Sequence, residues 1–587
     1  MSEELENNLT PSAIRQPNTI LNSNEQTFIE NKSDDEHENV LVADCTSTMY
    51  TSETGSNKPS KIFYGIMVNM LKHFFFIFRA YLDMFIDFIF GLLFEGQRKK
   101  LPNLEKKHSI LLESAVSLAE KIRKKELKSE ELVMVCIERI RAVNPLLNAV
   151  TDERYEAAIK EAREVDRMIE NGLSKDDFKK KPFLGVPFTA KESHAVCGMY
   201  HTLGLVARRH LRASEDAECV RLLREAGAIP VAVTNVPEVN KWTETRNMVF
   251  GQTRNPHHTG RTTGGSSGGE GALQAAISVP ISLCSDIGGS TRMPAFFCGL
   301  YALNPTAGYT SLKGSTLRSG LDPTIASIGF VSRHCEDLLP LTKIVAADKA
   351  QELNLDRVVD VKKLRYFYVE KSEDLRVSPI CQELRDAMTK VITLLTDEAP
   401  STDRAPKAFY HPGFNYMLSL WRYWISKESE SFAKALTNNM GEAKFIYEFP
   451  KKLLGMSDYT IGAILKLADD QIMPAVNKEW AEKLTCELKE ELIKLLGDDG
   501  VLLFPSAPAP APYHFTPVLR PYNFGYWGIF NALQFPAAQI PLGVTADGLP
   551  LGIQAVAAPK HDALCVAVAQ HVGKTFDGVV PPCKIPC

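Results

Sequence analysis

Two serines 24 residues apart, each framed by glycine, are the residues of this 587-residue chain whose types and spacing could do covalent chemistry. The first stretch is Thr262-Thr263-Gly264-Gly265-Ser266-Ser267-Gly268-Gly269-Glu270. The second is Cys284-Ser285-Asp286-Ile287-Gly288-Gly289-Ser290-Thr291-Arg292-Met293-Pro294. Glycine lets the backbone approach a ligand closely and turn several N–H groups onto one oxygen. Ser290 follows two glycines and precedes an apolar run, Met293 to Leu300, that reads as a helix. That seats it where free N–H groups and the helix dipole favour developing negative charge. The chemistry supported is attack by a serine hydroxyl beside an oxyanion hole. On these two stretches alone, a glycine- and serine-rich loop without chemistry is the bland alternative.

A serine nucleophile needs a base. His257 and His258 adjoin Pro256 in a polar loop with no orienting acid nearby in sequence, and they read as surface histidines. Lys191 closes Leu184-Gly185-Val186-Pro187-Phe188-Thr189-Ala190, which reads as a strand. A lysine amine held in a partly dry site falls below its ordinary pKa of about 10.4, and the neutral amine is a base. A lysine at a strand end is commonly solvated, so Lys191 gains weight only in company.

The elements that would position these groups alternate. Helical periodicity runs from Ser109 to about Glu170, with a start near Ser129, and returns over Ala217 to Arg224. Ala226 to Thr234, Val501 to Pro505 and Gln539 to Val544 read as strands, and Gly548-Leu549-Pro550 turns the last of them into a hairpin with Leu551 to Val556. Strands alternating with helices imply an α/β sheet rather than a sandwich. From about Lys362 to Leu496 the pattern is mostly helical. Phe414, Tyr416, Met417, Leu420, Trp421, Tyr423, Trp424 and Ile425 crowd together there, as an ordinary core helix or as the wall of an apolar substrate channel.

The chain divides into three parts. Residues 1–60 are rich in Asn, Ser, Thr and Glu and are expected to be disordered; they lack the charged start and early apolar core of a signal peptide. Residues 61–97 are the most apolar stretch, interrupted by Lys72, Arg79, Asp83 and Asp87, with Arg79 spaced to pair with Asp83 on one helical face. Each aspartate at a bilayer centre costs roughly 2.5–3.5 kcal/mol, so a spanning and a surface-lying helix come out level. Dense phenylalanine followed by Arg98-Lys99-Lys100 favours a membrane partner over a buried core helix, and a spanning helix would leave the following domain on the cytosolic side. Residues 98–587 form the third part, the catalytic domain. A net charge of −4 offers no basic footprint for nucleic acid. Twelve scattered cysteines imply a reduced protein without structural zinc, with a Cys583–Cys587 disulfide left open.

Taken together these residues resemble the amidase signature family, whose members cleave amide bonds with a Ser–Ser–Lys triad. The resemblance is carried by Gly185-Val186-Pro187 ahead of Lys191, Thr234-Asn235 with Glu238, Phe250-Gly251-Gln252-Thr253-Arg254-Asn255-Pro256, Gly264 to Gly269, Asp286 to Pro294, Pro536-Ala537, and Gly548-Leu549-Pro550 through Gln554. It implies the family's α/β fold, a mixed twisted β-sheet surrounded by α-helices, here preceded by a membrane-associated helix. It implies Ser290 as nucleophile, Ser266 as the bridging serine in a cis peptide with Gly265, and Lys191 as base. Ile287, Gly288 and Gly289, with Ser290 itself, would form the oxyanion hole, and Ser267, Asp286 and Arg292 would support it. Within the family the pattern looks closest to the type-2 branch of fatty-acid amide hydrolases. The implied partners are a lipid-like amide and an intracellular membrane, with no cofactor, no metal and no nucleic acid; a homodimer is left open.

Three positions depart from the family pattern: Thr291 where an aliphatic residue is usual, Cys284 where Gly or Ala is usual, and Asn304 where lysine commonly precedes Pro305. None is a triad member, and Thr291, beside the nucleophile, is the position expected to bear on substrate preference or rate. The competing readings are an esterase or lipase using Ser266 in a G-x-S-x-G elbow, a catalytically silent amidase-like membrane protein, and an amidotransferase subunit acting on charged tRNA. The elbow needs a strand just before it, and Pro256 to Thr263 is polar loop.

Overall fold

Short apolar runs bounded by glycine and proline become the strands. They are β1 (Val150–Glu153), β2 (Pro187–Lys191), β3 (Ile229–Thr234), β4 (Arg246–Asn247), β5 (Gly251–Gln252), β6 (Ile281–Asp286) and β7 (Tyr301–Asn304). Then come β8 (Ser327–Ser332), β9 (Arg365–Tyr368), β10 (Lys407–Ala408), β11 (Gly500–Pro505), β12 (Ala537–Val544) and β13 (Pro550–Val556). All but β4 and β5 form one eleven-stranded mixed sheet in the order β1-β3-β2-β6-β8-β7-β12-β13-β11-β9-β10. β2, β3, β8 and β11 are buried at every position. That is what a sheet covered by helices on both faces requires. The computed structural model describes residues 59–320 and 322–586, so residues 1–58 and Cys587, with its pairing to Cys583, lie outside the described residues. From Gly65 onward the chain forms one compact unit.

The sheet places the site through one parallel pair. β2 and β6 run side by side, with Phe188 opposite Ile281 and Ala190 opposite Leu283. Their C-terminal ends therefore meet at the same end of the sheet, bringing Lys191 beside Ser285 and Asp286. The loop leaving β6 carries Ile287 to Ser290, and the helix Gly268–Ala275, which starts just after Ser266, packs on β2 and β6. Close approach is why this helix begins with glycine: a Cβ on Gly269 would lie 2.6 Å from the Asn235 nitrogen. The expected hairpin is present as β12 and β13, antiparallel, with Gly548 at φ +78°.

The helix Pro59–Phe94 bears on the membrane question. No helix among the described residues is long and apolar enough to cross a membrane, so the spanning alternative is corrected. The physical reason lies in its acids. Arg79 pairs with Asp83 at 3.4 Å as the spacing predicts, but Asp83 and Asp87 also face Arg520, whose guanidinium lies 3.0 Å from Asp83 and 2.9 Å from Asp87. The opposite face stays open, with Phe74, Phe78, Tyr81, Phe85, Phe88 and Leu92 all exposed. Just beyond the helix, Glu95 accepts from the Tyr513 hydroxyl at 2.7 Å and lies 3.0 Å from Nε2 of His258. His258 is only 2% exposed, which corrects its reading as a surface histidine, and His257 is half-buried against the Cys298 carbonyl at 3.1 Å.

Candidate active site

Lys191 is fully buried at the end of β2, and its Nζ donates to Ser266 Oγ at 2.8 Å and to Ser285 Oγ at 3.2 Å. Burial pushes its pKa down to about 7, with Asp286 and Glu270 pulling weakly the other way. An amine in that state can accept a proton at neutral pH. Ser266 follows a cis peptide bond with Gly265. Ser267 ties the two serine stretches together, its N–H donating to the Ser290 carbonyl at 3.2 Å.

The second stretch is held by a buried ion pair. Asp286 and Arg292 are both fully buried and meet at 3.1 Å. Arg292 also donates to Gln554 Oε1 at 2.8 Å, Asn531 Oδ1 at 2.7 Å and the Trp527 carbonyl at 3.1 Å. Burial alone would raise the Asp286 pKa, but Arg292 and the backbone N–H groups that Asp286 accepts hold it below the ordinary carboxylate range. Those N–H groups belong to Gly289 at 2.7 Å, Thr291 at 3.1 Å and Arg292 at 3.3 Å.

This alters the expected oxyanion arrangement. The first N–H groups of the helix Arg292–Cys298 are committed to Asp286 rather than to a ligand, and so is that of Gly289. The N–H groups of Ile287, Gly288 and Ser290 have no protein partner among the described residues. Gly289 must be glycine for another reason: it sits at φ +105°, and a Cβ there would lie 2.4 Å from Trp527 Cβ.

Two cavities meet at Ser290. One is apolar, about 260 Å³, and lined among others by Trp242, Gly288, Ser290, Met293, Leu418, Trp421, Ile472, Val518 and Phe524. The other is small and polar, and Lys191, Ser266, Ser285 and Ser290 all open onto it with Asn240, Lys241, Arg318 and Glu430. The aromatic crowd divides between its two readings. On the helix Met417–Ile425, Leu418 and Trp421 line the apolar cavity, while Met417, Leu420 and Tyr423 are core. Trp421 also buttresses the loop from Ile287 to Ser290, its Nε1–H donating to the Ile287 carbonyl at 2.8 Å.

The departures from the family pattern lie away from these cavities. Thr291 is fully buried and lines neither, and its side chain packs where a Cβ on Gly329 would meet Cγ2 at 3.3 Å. Thr291 therefore reaches the site only indirectly, through its N–H to Asp286. Cys284 is buried inside β6, and Asn304 on β7 accepts from Ser327 Oγ at 2.5 Å. No strand leads directly into Ser266, the last one before it ending at Gln252, so the strand that an esterase elbow requires is absent. No cluster of His, Cys, Asp and Glu among the described residues is arranged to hold a metal.

Residues 131–566 match the family described as Amidase. The chain belongs to the amidase family. As a member it is a hydrolase acting on amide C–N bonds. It is 39% identical over 487 residues to fatty-acid amide hydrolase 2 of Homo sapiens, covering 81% of this chain and 91% of that protein. It is 38% identical over 506 residues to fatty-acid amide hydrolase 2-B of Danio rerio, covering 84% and 95%. Among solved structures, a fatty acid amide hydrolase aligns with TM-score 0.64 and 20% identity over 82% of this chain and 87% of that one. A 6-aminohexanoate cyclic dimer hydrolase complexed with substrate aligns with TM-score 0.63 and 23% identity over 80% and 98%. These two likenesses concern the amidase fold alone.

Three residues that line or brace this site carried no signal of it in the sequence. Ser285 lay inside a quoted motif, but nothing marked it as a second partner of Lys191. Trp421 was noticed for its aromaticity, not for its N–H. Lys241 was missed altogether, since a single lysine in Asn240-Lys241-Trp242 forms no pattern.

Proposed function

We propose that this amidase hydrolyses long-chain fatty acyl amides to the free acid and an amine, through an acyl-enzyme on Ser290. The carrying observation is the apolar cavity that ends on Ser290. In this reading Ser290 Oγ attacks the amide carbon while Ser266 takes its proton and passes its own to neutral Lys191. The carbonyl oxygen becomes an oxyanion facing the N–H groups of Ile287, Gly288 and Ser290. The C–N bond then breaks as the proton returns through Ser266 to the leaving nitrogen. Water repeats the cycle on the ester, releasing the acid and restoring Ser290. The acyl chain lies in the apolar cavity and the amine in the polar one. Each buried methylene contributes about 0.8 kcal/mol, roughly fourfold in kcat/KM. Primary amides from butyryl to decanoyl are therefore expected to rise by at least about a hundredfold in kcat/KM. A flat or falling series would sink the long-chain reading.

We infer further that the protein lies on a membrane surface through the helix Pro59–Phe94. What supports this is its one-sided exposure: large apolar side chains, Phe74, Phe78, Phe85 and Phe88 among them, face outward while Asp83 and Asp87 hold the other face to Arg520. An apolar face with a following basic cluster is the arrangement that seats a helix at the headgroup boundary. Replacing Phe74, Phe78 and Phe85 by serine is expected to abolish co-sedimentation with anionic phospholipid vesicles. Unchanged sedimentation would move the attachment elsewhere.

A further inference from the structure

Lys241 stands at the junction of the two cavities, lining the apolar one with Ser290 and Gly288 and the polar one with Lys191 and Ser266. Its ammonium has no hydrogen bond or ion pair among the described residues. The other charges that face it are better provided for. Arg318 pairs with Glu428, which also accepts from Thr324 Oγ1 at 2.9 Å and Ile325 N at 2.8 Å. Lys466 lies 3.5 Å from Asp469 and also pairs with Asp470. Glu430 accepts the Leu317 N–H at 3.2 Å and faces Lys241 without forming an ion pair with it. Burial pushes the Lys241 pKa down to about 8, with Glu430 opposing, so at neutral pH the amine is mostly charged.

The backbone that presents Lys241 is strained. Val239 and Asn240, the two residues before it, have φ +48° and +59°. A β-branched residue in the left-handed region is a true outlier, kept only where surrounding contacts enforce it. Here the Val239 N–H donates to the Leu203 carbonyl at 2.9 Å, and the Glu238 carboxylate accepts from Thr460 N at 2.8 Å and Thr460 Oγ1 at 2.7 Å. A charge held beside a nucleophile, half-buried and without a partner, is unfavourable unless a ligand completes it.

We propose that Lys241 is the subsite for a carboxylate on the amine half of the substrate, so that this amidase prefers fatty acyl amides of amino acids to uncharged amides of the same length. The inference rests on the amide-hydrolase reading and on Ser290 as nucleophile. With the acyl chain in the apolar cavity, a carboxylate one or two carbons beyond the scissile nitrogen falls on the polar side, where Lys241 is the uncommitted cation. Glu430 repels an anion from its own side of that pocket and so orients it.

The test compares oleate release from N-oleoylglycine and N-oleoylethanolamine, which differ in a carboxylate against a hydroxymethyl group, with oleamide as the common reference. The wild-type protein is expected to favour the glycine conjugate in kcat/KM by about tenfold or more, the scale of one charge-assisted hydrogen bond. Lys241→Met is expected to remove that preference, and Lys241→Arg to keep most of it. A wild-type ratio near one, or a ratio unmoved in Lys241→Met, overturns the proposal. A variant that is merely damaged lowers all three substrates together and leaves the ratio unmoved. Hydrolysis of oleamide without the preference overturns this inference alone, whereas no hydrolysis of any of the three overturns the acyl amide reading beneath it.

Discussion

Replacing Ser290 by alanine is expected to lower acyl amide hydrolysis by about a millionfold, the scale seen when a serine nucleophile is removed from a relay that acts as a unit. The same change should abolish covalent labelling by a fluorophosphonate. The argument is positional. Ser290 is buried yet opens onto both cavities, it follows the free N–H groups of Ile287 and Gly288, and its carbonyl is tied to the Ser267 N–H. Ser266 by contrast is fully buried and engaged by Lys191. If labelling survived in Ser290→Ala and disappeared in Ser266→Ala, the order of the relay would be reversed.

A pH profile with one limb on the acid side is the second large effect. Lys191 is taken out of water by β2 and its neighbours, which disfavours the ammonium and lowers its pKa from 10.5 to about 7. The base is the neutral amine, so its fraction grows as pH rises through about 7 and saturates above it. kcat/KM should therefore fall tenfold per pH unit well below that value and level off above it. Asp286 and Glu270 face the amine and oppose the shift, but Glu270 is itself pushed up to about 7 by burial and carries only part of a charge near neutrality. Lys191→Met is expected to cost about a thousandfold or more and to lose the limb. A rate flat from about pH 6 to 9 with chemistry still limiting, or the same limb in the variant, would falsify Lys191 as base.

The candidate site was legible because its signals were local. Glycine beside serine, twice, together with a lysine at the end of an apolar strand, marked Lys191, Ser266 and Ser290, and the parallel pairing of β2 and β6 brings the lysine to the serines. The errors arose where partners are distant in sequence. His258 looked solvated because its acid, Glu95, lies 163 residues earlier. The apolar N-terminal stretch looked as apt to span a bilayer as to lie on one because Arg520, which claims both its aspartates, lies 433 residues from Asp87. Adjacency to Ser290 did not reveal where the Thr291 side chain goes: consecutive residues leaving a strand point in different directions, and this one turns into the protein toward β8. The division of the aromatic helix between core and cavity is likewise a tertiary fact, decided by what packs on each face.

Arg520 joins two parts of the molecule that a preparative chemist would wish to separate. On one side it faces Asp83 and Asp87; on the other its near neighbours Val518 and Pro521 form part of the wall of the apolar cavity. Cutting the chain at residue 97 to obtain a detergent-free enzyme would remove both carboxylates and uncover the guanidinium they hold, beside that wall. Such a shortened enzyme would differ from the full chain in the surface that meets the acyl group, and its substrate ranking would not transfer. Polar replacement of the outward phenylalanines, with the helix kept, is the route to solubility that leaves the pocket as the full chain has it.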